Sequence, residues 1–354
     1  MATTLRVPRP LRRVLAVLIV AAIVEFFVLP QMATALGSAR TLAEVSGWLL
    51  LLGVGLEVAA LCAYFQLTRS LLPAATRPAF PRMARIELST LGLSHVVPGG
   101  AGAGGALGYR LLTEAGVRPA DATFALATQG LGSAVVLNVI LWLALVVSIP
   151  ARGVQPLYTT AAVLGAVVFG LFALALVGLT RAEARTTETL CRVARRMPLV
   201  DCGKVERGVQ RVAARLRELA AQPRLVARAV GWATANWLLD AASLWVFLAA
   251  FGHRTGIDSL LVAYGLANVL GALPVTPGGL GIIEGVLTPT LVGFGVPGGT
   301  ALLGVVSWRL VNFWLPIPAG GAAYLSLRLG PGEGRGRRAE ELKRVVEDAA
   351  DPSD

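Results

Sequence analysis

The stretch Leu273-Pro-Val-Thr-Pro-Gly-Gly-Leu-Gly-Ile-Ile-Glu-Gly285 puts two prolines, four glycines and one carboxylate inside a long apolar region. In a helix interior Pro costs about 3 kcal/mol and Gly about 1 kcal/mol relative to Ala, so this segment interrupts a helix rather than continuing one. At membrane depth an interruption leaves backbone N–H and C=O groups without partners. It is tolerated only where it is buried in protein or lines a wet cavity. What surrounds the stretch therefore decides its meaning.

The surroundings are apolar. The chain has 354 residues, 55% hydrophobic and only 15% charged, whereas a soluble domain carries about 25% charged residues. No charge lies between Asp121 and Arg152, or between Arg152 and Arg181. Each gap accommodates a helix of ~20 residues crossing a ~30 Å hydrocarbon layer. The fold class is all-α, a polytopic membrane helix bundle. A net charge of +11 would suggest nucleic acid in a soluble protein, but no basic-aromatic interleaving accompanies it. Lys and Arg gather in cytoplasmic loops of membrane proteins instead. Cys62, Cys191 and Cys202 form no CxxC and have no histidine beside them. No metal site, cofactor or nucleic-acid partner is expected.

Segments 14–30, 46–67, 122–148, 157–180, 225–250 and 299–327 read as six full spans. Arg6, Arg9, Arg12 and Arg13 precede the first. Ala33-Thr-Ala35 resembles a signal-peptidase site, but the long apolar run and the later spans favour an uncleaved membrane helix. The loop 181–228 holds twelve Lys or Arg against five acids, which places it in the cytoplasm. The basic flanks 68–85 and 110–121, the N-terminus and the tail agree with that side. Residues 1–330 thus form one transmembrane domain, with a basic amphipathic loop at 181–224. There Val205, Val209, Val212, Leu216 and Leu219 make one apolar stripe, suited to the bilayer surface. Residues 331–354 read as a charged, disordered cytoplasmic tail.

Because 68–85 and 110–121 fall on one side, the glycine-rich 86–112 between them must leave and return. Its Val97-Pro-Gly-Gly-Ala-Gly102 echoes Thr276-Pro-Gly-Gly-Leu-Gly281. Paired breaker segments in two halves of a chain point to broken helices around a substrate site. Both 86–112 and 257–297 are expected to be re-entrant and related as an internal repeat. Pro98, Gly99 and Gly100 in one copy, and Pro277, Gly278, Gly279 and Gly281 in the other, would present free backbone N–H groups to a headgroup.

Charges inside spans are rare and usually face a cavity or a partner. Glu57, Asp240 and Arg309 lie within spans and Glu284 follows the second breaker. Arg309 is expected to pair with Glu284 or Asp240. Asn268 and Asn312 are the amides placed to line the same site, while Asn236, Gln129 and Asn138 suit interhelical hydrogen bonds. Arg110 closes the first breaker segment. His95 reads as a packing residue. No nucleophile elbow, P-loop or HExxH motif is present, and no catalytic residue is assigned.

The paired breakers and Thr276-Pro-Gly-Gly-Leu-Gly-Ile-Ile-Glu-Gly285 resemble the lysylphosphatidylglycerol synthase transmembrane-region family, flippase-like membrane proteins whose members carry a similar Pro-Gly-Gly-x-Gly-x-x-Glu. The resemblance covers about residues 10–330. It implies an integral protein of the bacterial inner (plasma) membrane that handles phospholipids or lipid-linked glycans. The first motif departs from the pattern: Gly104-Gly-Ala-Leu-Gly-Tyr-Arg110 lacks the acid that often precedes the arginine. Members that aminoacylate phosphatidylglycerol carry a large soluble acyltransferase-like domain, so a chain with only a short charged tail is not expected to be that enzyme.

The leading expectation is a translocase that binds an anionic headgroup in a mid-membrane polar cavity. Two other readings stand beside it. One is an intramembrane enzyme with Glu284 or Asp240 as base. The other is a membrane scaffold for a partner lipid synthase, with homo-oligomerisation open.

Overall fold

The computed structural model describes residues 46–97, 100–152, 222–272 and 276–329, with helical positions 163, 166, 167 and 170. The spans 14–30 and most of 157–180, the stripe at 205–219 and the tail lie outside the described residues. So do Pro98 and Gly99.

Every described element is a helix. In order they are α1 (Gly47–Leu71), α2 (Phe80–Val96), α3 (Gly100–Glu114), α4 (Pro119–Arg152) and α5 (Pro223–Ala250). Then come α6 (Ile257–Gly271), α7 (Ile282–Gly293), α8 (Gly298–Arg309) and α9 (Pro316–Leu329), the last two joined through a π-helical turn, Leu310–Trp314. Among the described residues, four stretches are long and apolar enough to cross a membrane: α1, most of α4, α5, and α8 through α9. They match the expected spans 46–67, 122–148, 225–250 and 299–327. Among the described elements, α1 to α4 and α5 to α9 each run from a long helix through two short ones to a long apolar stretch.

Local chemistry sets the boundaries. Leu72 takes an extended conformation and ends α1, because Pro73 disfavours the helical region for the residue before it. Proline sits in the first turn of α2 and of α5, where its missing N–H costs nothing. α3 ends at left-handed Gly116 and α7 at left-handed Gly295. In each case the following valine N–H returns to a helix carbonyl, Val117 to Leu112 at 3.0 Å and Val296 to Leu291 at 3.1 Å. These are C-terminal glycine caps. The π turn follows from Pro316, which has no N–H to continue the ladder, so Leu315 reaches five residues back to Leu310 at 2.9 Å.

The glycine-rich segment after Gly100 is more helical than expected. Its glycines form a packing face, not a loose backbone. Gly100, Gly104 and Gly108 recur every four residues and lie against Ser94 and Thr90 of α2. A methyl group at Gly104 would come within 2.8 Å of the Thr90 carbonyl. Such small-residue stripes let two helices approach closely in an apolar setting. α2 ends at Val96, α3 starts at Gly100, and the two pack closely against each other.

Long helices pack through similar contacts. α1 and α5 run together, with Ser243 Oγ donating to the Gly53 carbonyl at 2.9 Å and Asn236 Nδ2 to the Ala60 carbonyl at 3.0 Å. α2 lies on α9, where Gly92 faces Gly320. An apolar core around Leu141, Leu244, Leu248, Tyr264, Leu287 and Trp308 joins α4 to α8. Outward residues such as Leu51, Leu143 and Val147 are apolar and exposed, as lipid-facing positions require.

Candidate functional site at the meeting of two helix breaks

The described part of the second break holds a 3-10 turn, Pro277–Gly279. Gly278, Gly279 and Gly281 have φ of 54°, 69° and 80°, left-handed values that side chains rarely adopt. α7 then restarts at Ile282, with Glu284 at its third position. One carboxylate oxygen of Glu284 accepts from the Gly281 N–H at 2.7 Å, the acidic half of a capping box. The other accepts from Arg309 Nε at 2.5 Å, and Arg309 also donates to the Gly278 carbonyl at 3.3 Å. The spacing of the motif is thereby explained. Glycines make the turn, and an acid three residues on caps the restarted helix while tying it to α8.

Arg309 is almost fully enclosed, its side chain 3% exposed against 15% for Glu284. Its guanidinium lies 4.5 Å from the centroid of Phe313 and 5.7 Å from that of Trp308, cation–π contacts worth most when dry. Phe313 also connects the two breaks. His95, at the end of α2 just before the first break, stacks on Phe313 at 4.4 Å and donates from Nδ1 to its carbonyl at 3.0 Å. Gly278 of the second break lies against the same ring, and a methyl group there would also meet His95 Cδ2 at 3.1 Å. The end of α2 and the Pro277–Gly279 turn are therefore neighbours across one aromatic side chain.

Beside them is an acidic pair. Asp240 on α5 accepts from Tyr264 OH at 2.7 Å, Trp308 Nε1 at 2.5 Å and Asn312 Nδ2 at 3.3 Å. The same Asn312 amide donates to Glu57 Oε1 on α1 at 3.0 Å, so both carboxylates converge on one nitrogen. Glu57 Oε2 is buried and makes no hydrogen bond of good geometry among the described residues, though the Asp240 carboxyl and the Ser243 hydroxyl lie beside Glu57. The adjacent Ser243 hydroxyl is committed to the Gly53 carbonyl. Among the described residues the Arg309 guanidinium pairs with Glu284, while Asp240 and Glu57 are held by the neutral donors Tyr264, Trp308 and Asn312.

The fold brings together Glu57, Asp240, Glu284, Arg309, Asn312, Pro277, Gly278, Gly279 and Gly281. Asn268 is close by on α6 but donates to the Tyr264 carbonyl of its own helix at 2.9 Å. Gly100 is buried in the α2–α3 contact. Arg110 is not brought to the site: it is exposed and pairs with Glu114 at 2.7 Å. His95 is the packing residue expected, and Arg309 takes Glu284 of its two expected partners. Sequence reasoning missed Tyr264, Trp308 and Phe313. Trp308, Arg309 and Asn312 fall within one helical turn, a spacing that could have flagged them, but nothing local identifies their partners. Among the described residues, no group of three His, Cys, Asp or Glu side chains is arranged to hold a metal ion.

A family model for the lysylphosphatidylglycerol synthase transmembrane region matches residues 11–320. The chain belongs to this family. It is therefore a membrane protein of the lysylphosphatidylglycerol synthase transmembrane-region family, and the broken helix with its Glu284 cap lies inside the matched region. Two UPF0104 membrane proteins of Methanothermobacter thermautotrophicus are similar to part of this chain. One is 34% identical over 95 residues, 27% of this chain and 28% of the relative. The other is 33% identical over 89 residues, 25% and 26% respectively. The matches span about a quarter of these curated relatives.

Proposed function

We propose that this protein moves a phospholipid or lipid-linked substrate across the bacterial inner membrane. Its headgroup would pass between the two helix breaks, with the termini in the cytoplasm. One observation carries the reading: two interrupted helix pairs meet beside a buried, incompletely satisfied polar cluster. The short helices support it. At ~1.5 Å per residue, α6 spans about 22 Å and α7 about 18 Å, less than a ~30 Å hydrocarbon layer. The repeated element order supports a two-half, re-entrant architecture, and substrate sites of that architecture lie at its breaks.

The expected anionic partner for Arg309 needs revision within this proposal. Arg309 is occupied by Glu284 and Gly278, and the unfilled atom is Glu57 Oε2. A headgroup that brings hydroxyl or amine donors fits that acceptor, and its phosphate would be neutralised elsewhere. The test is translocation in proteoliposomes using fluorescent lipids with primary-amine, glycerol or trimethylammonium headgroups. Amine and glycerol lipids should cross faster than in empty liposomes, and trimethylammonium lipids should not. Rates equal to empty liposomes for all three would exclude translocation.

A further inference from the structure

A separate feature lies at the helix ends that the charge bias assigns to the cytoplasm. The end of α1 with the following segment to Arg77, and the first turns of α4 and α5, enclose an open cavity of about 670 Å³. Arg77, Arg224 and Arg228 line it. Its one acid, Asp121, already binds Arg118 Nε at 2.7 Å. Arg77 is pushed below the ordinary guanidinium value by partial burial, and then by the charges of Arg228 and Arg69. These cations therefore repel one another, and among the described residues that line the cavity no anion is left to pair with them. Arg224 and Arg228 also occupy the first two turns of α5, where the helix dipole is itself positive. No side chain caps that helix start. Each placement is unfavourable alone, and one bound anion would relieve them all.

We propose that this cavity binds the phosphate of an anionic membrane phospholipid. Phosphate oxygens match a cluster of guanidinium groups, and basic pockets between cytoplasmic helix ends are suited to lipid headgroups. Lipid is favoured over free phosphate because Leu72, Phe124 and Leu225 make part of the wall apolar, at the level where spans end. The site is independent of whether lipid is carried across the membrane. A scaffold would hold its lipid here equally well.

The test is native mass spectrometry of the full chain, titrated with phosphatidylglycerol or phosphatidylcholine. The wild type should retain phosphatidylglycerol preferentially. Arg77 also holds the Leu72 carbonyl at 2.8 Å, so its loss could act through structure. The informative variants are Arg224→Gln and Arg228→Gln, both exposed. Each should weaken phosphatidylglycerol retention about fivefold. Arg328→Gln, exposed elsewhere, should change nothing. Equal retention of the two lipids, or an equal loss in Arg328→Gln, would overturn the site. Displacement of bound lipid by inorganic phosphate at the same concentration would identify a soluble phosphate as the ligand and overturn the lipid assignment.

Discussion

At the scale of single residues, the Pro-Gly-Gly-x-Gly-x-x-Glu string is a folding instruction. Glu284 serves a helix start and a buried guanidinium at once. Glu284→Ala removes both contacts and leaves Arg309 buried without its counter-ion, which should cost about 3–5 kcal/mol. Denaturation in detergent should show that loss, and the double variant with Arg309→Met should recover part of it. Equal stability of wild type and Glu284→Ala would contradict the pairing. Gly278 has φ 54° and abuts Phe313, so Gly278→Ala should destabilise by about 1–2 kcal/mol from backbone handedness alone. Gly285 sits within α7 with open space around it. Gly285→Ala should be neutral or stabilising by up to about 1 kcal/mol. A matched loss at both glycines would show that the left-handed turn is not what the motif specifies.

At the scale of elements, the long helices were legible in the sequence because apolar length alone identifies them. The pairing of Arg309 with Glu284 was legible because a buried charge needs a partner. The α2–α3 hairpin was only half legible. Propensity reads glycine as a helix breaker, yet Gly100, Gly104 and Gly108 are helical because α2 packs where their side chains would be. Propensity cannot register a partner helix. The same limit hid Tyr264 and Trp308, whose hydroxyl and indole N–H serve a carboxylate on another helix. Gly104→Val should therefore separate α2 from α3 and lower the melting temperature. Gly105→Ala, with nothing near it, should not. If both lower it equally, the glycines act through flexibility and the packing account fails.

At the scale of the whole molecule, the fold gathers at one end three segments that charge placement puts on one side. The loop after α1 and the starts of α4 and α5 gather at one cavity, and the sequence assigns all three to the cytoplasm. Ala74→Cys should react with a membrane-impermeant thiol reagent only from that side, and His253→Cys only from the opposite side. Labelling of both from one side would overturn the topology. The central claim is that lipid passes beside the acidic pair. Its most direct measurement is the translocation rate of a primary-amine lipid in proteoliposomes containing wild type or Glu57→Gln, matched for thermal stability. The account predicts fast translocation by the wild type and a rate near that of empty liposomes for Glu57→Gln. Equal rates for the wild type, the variant and empty liposomes would contradict it.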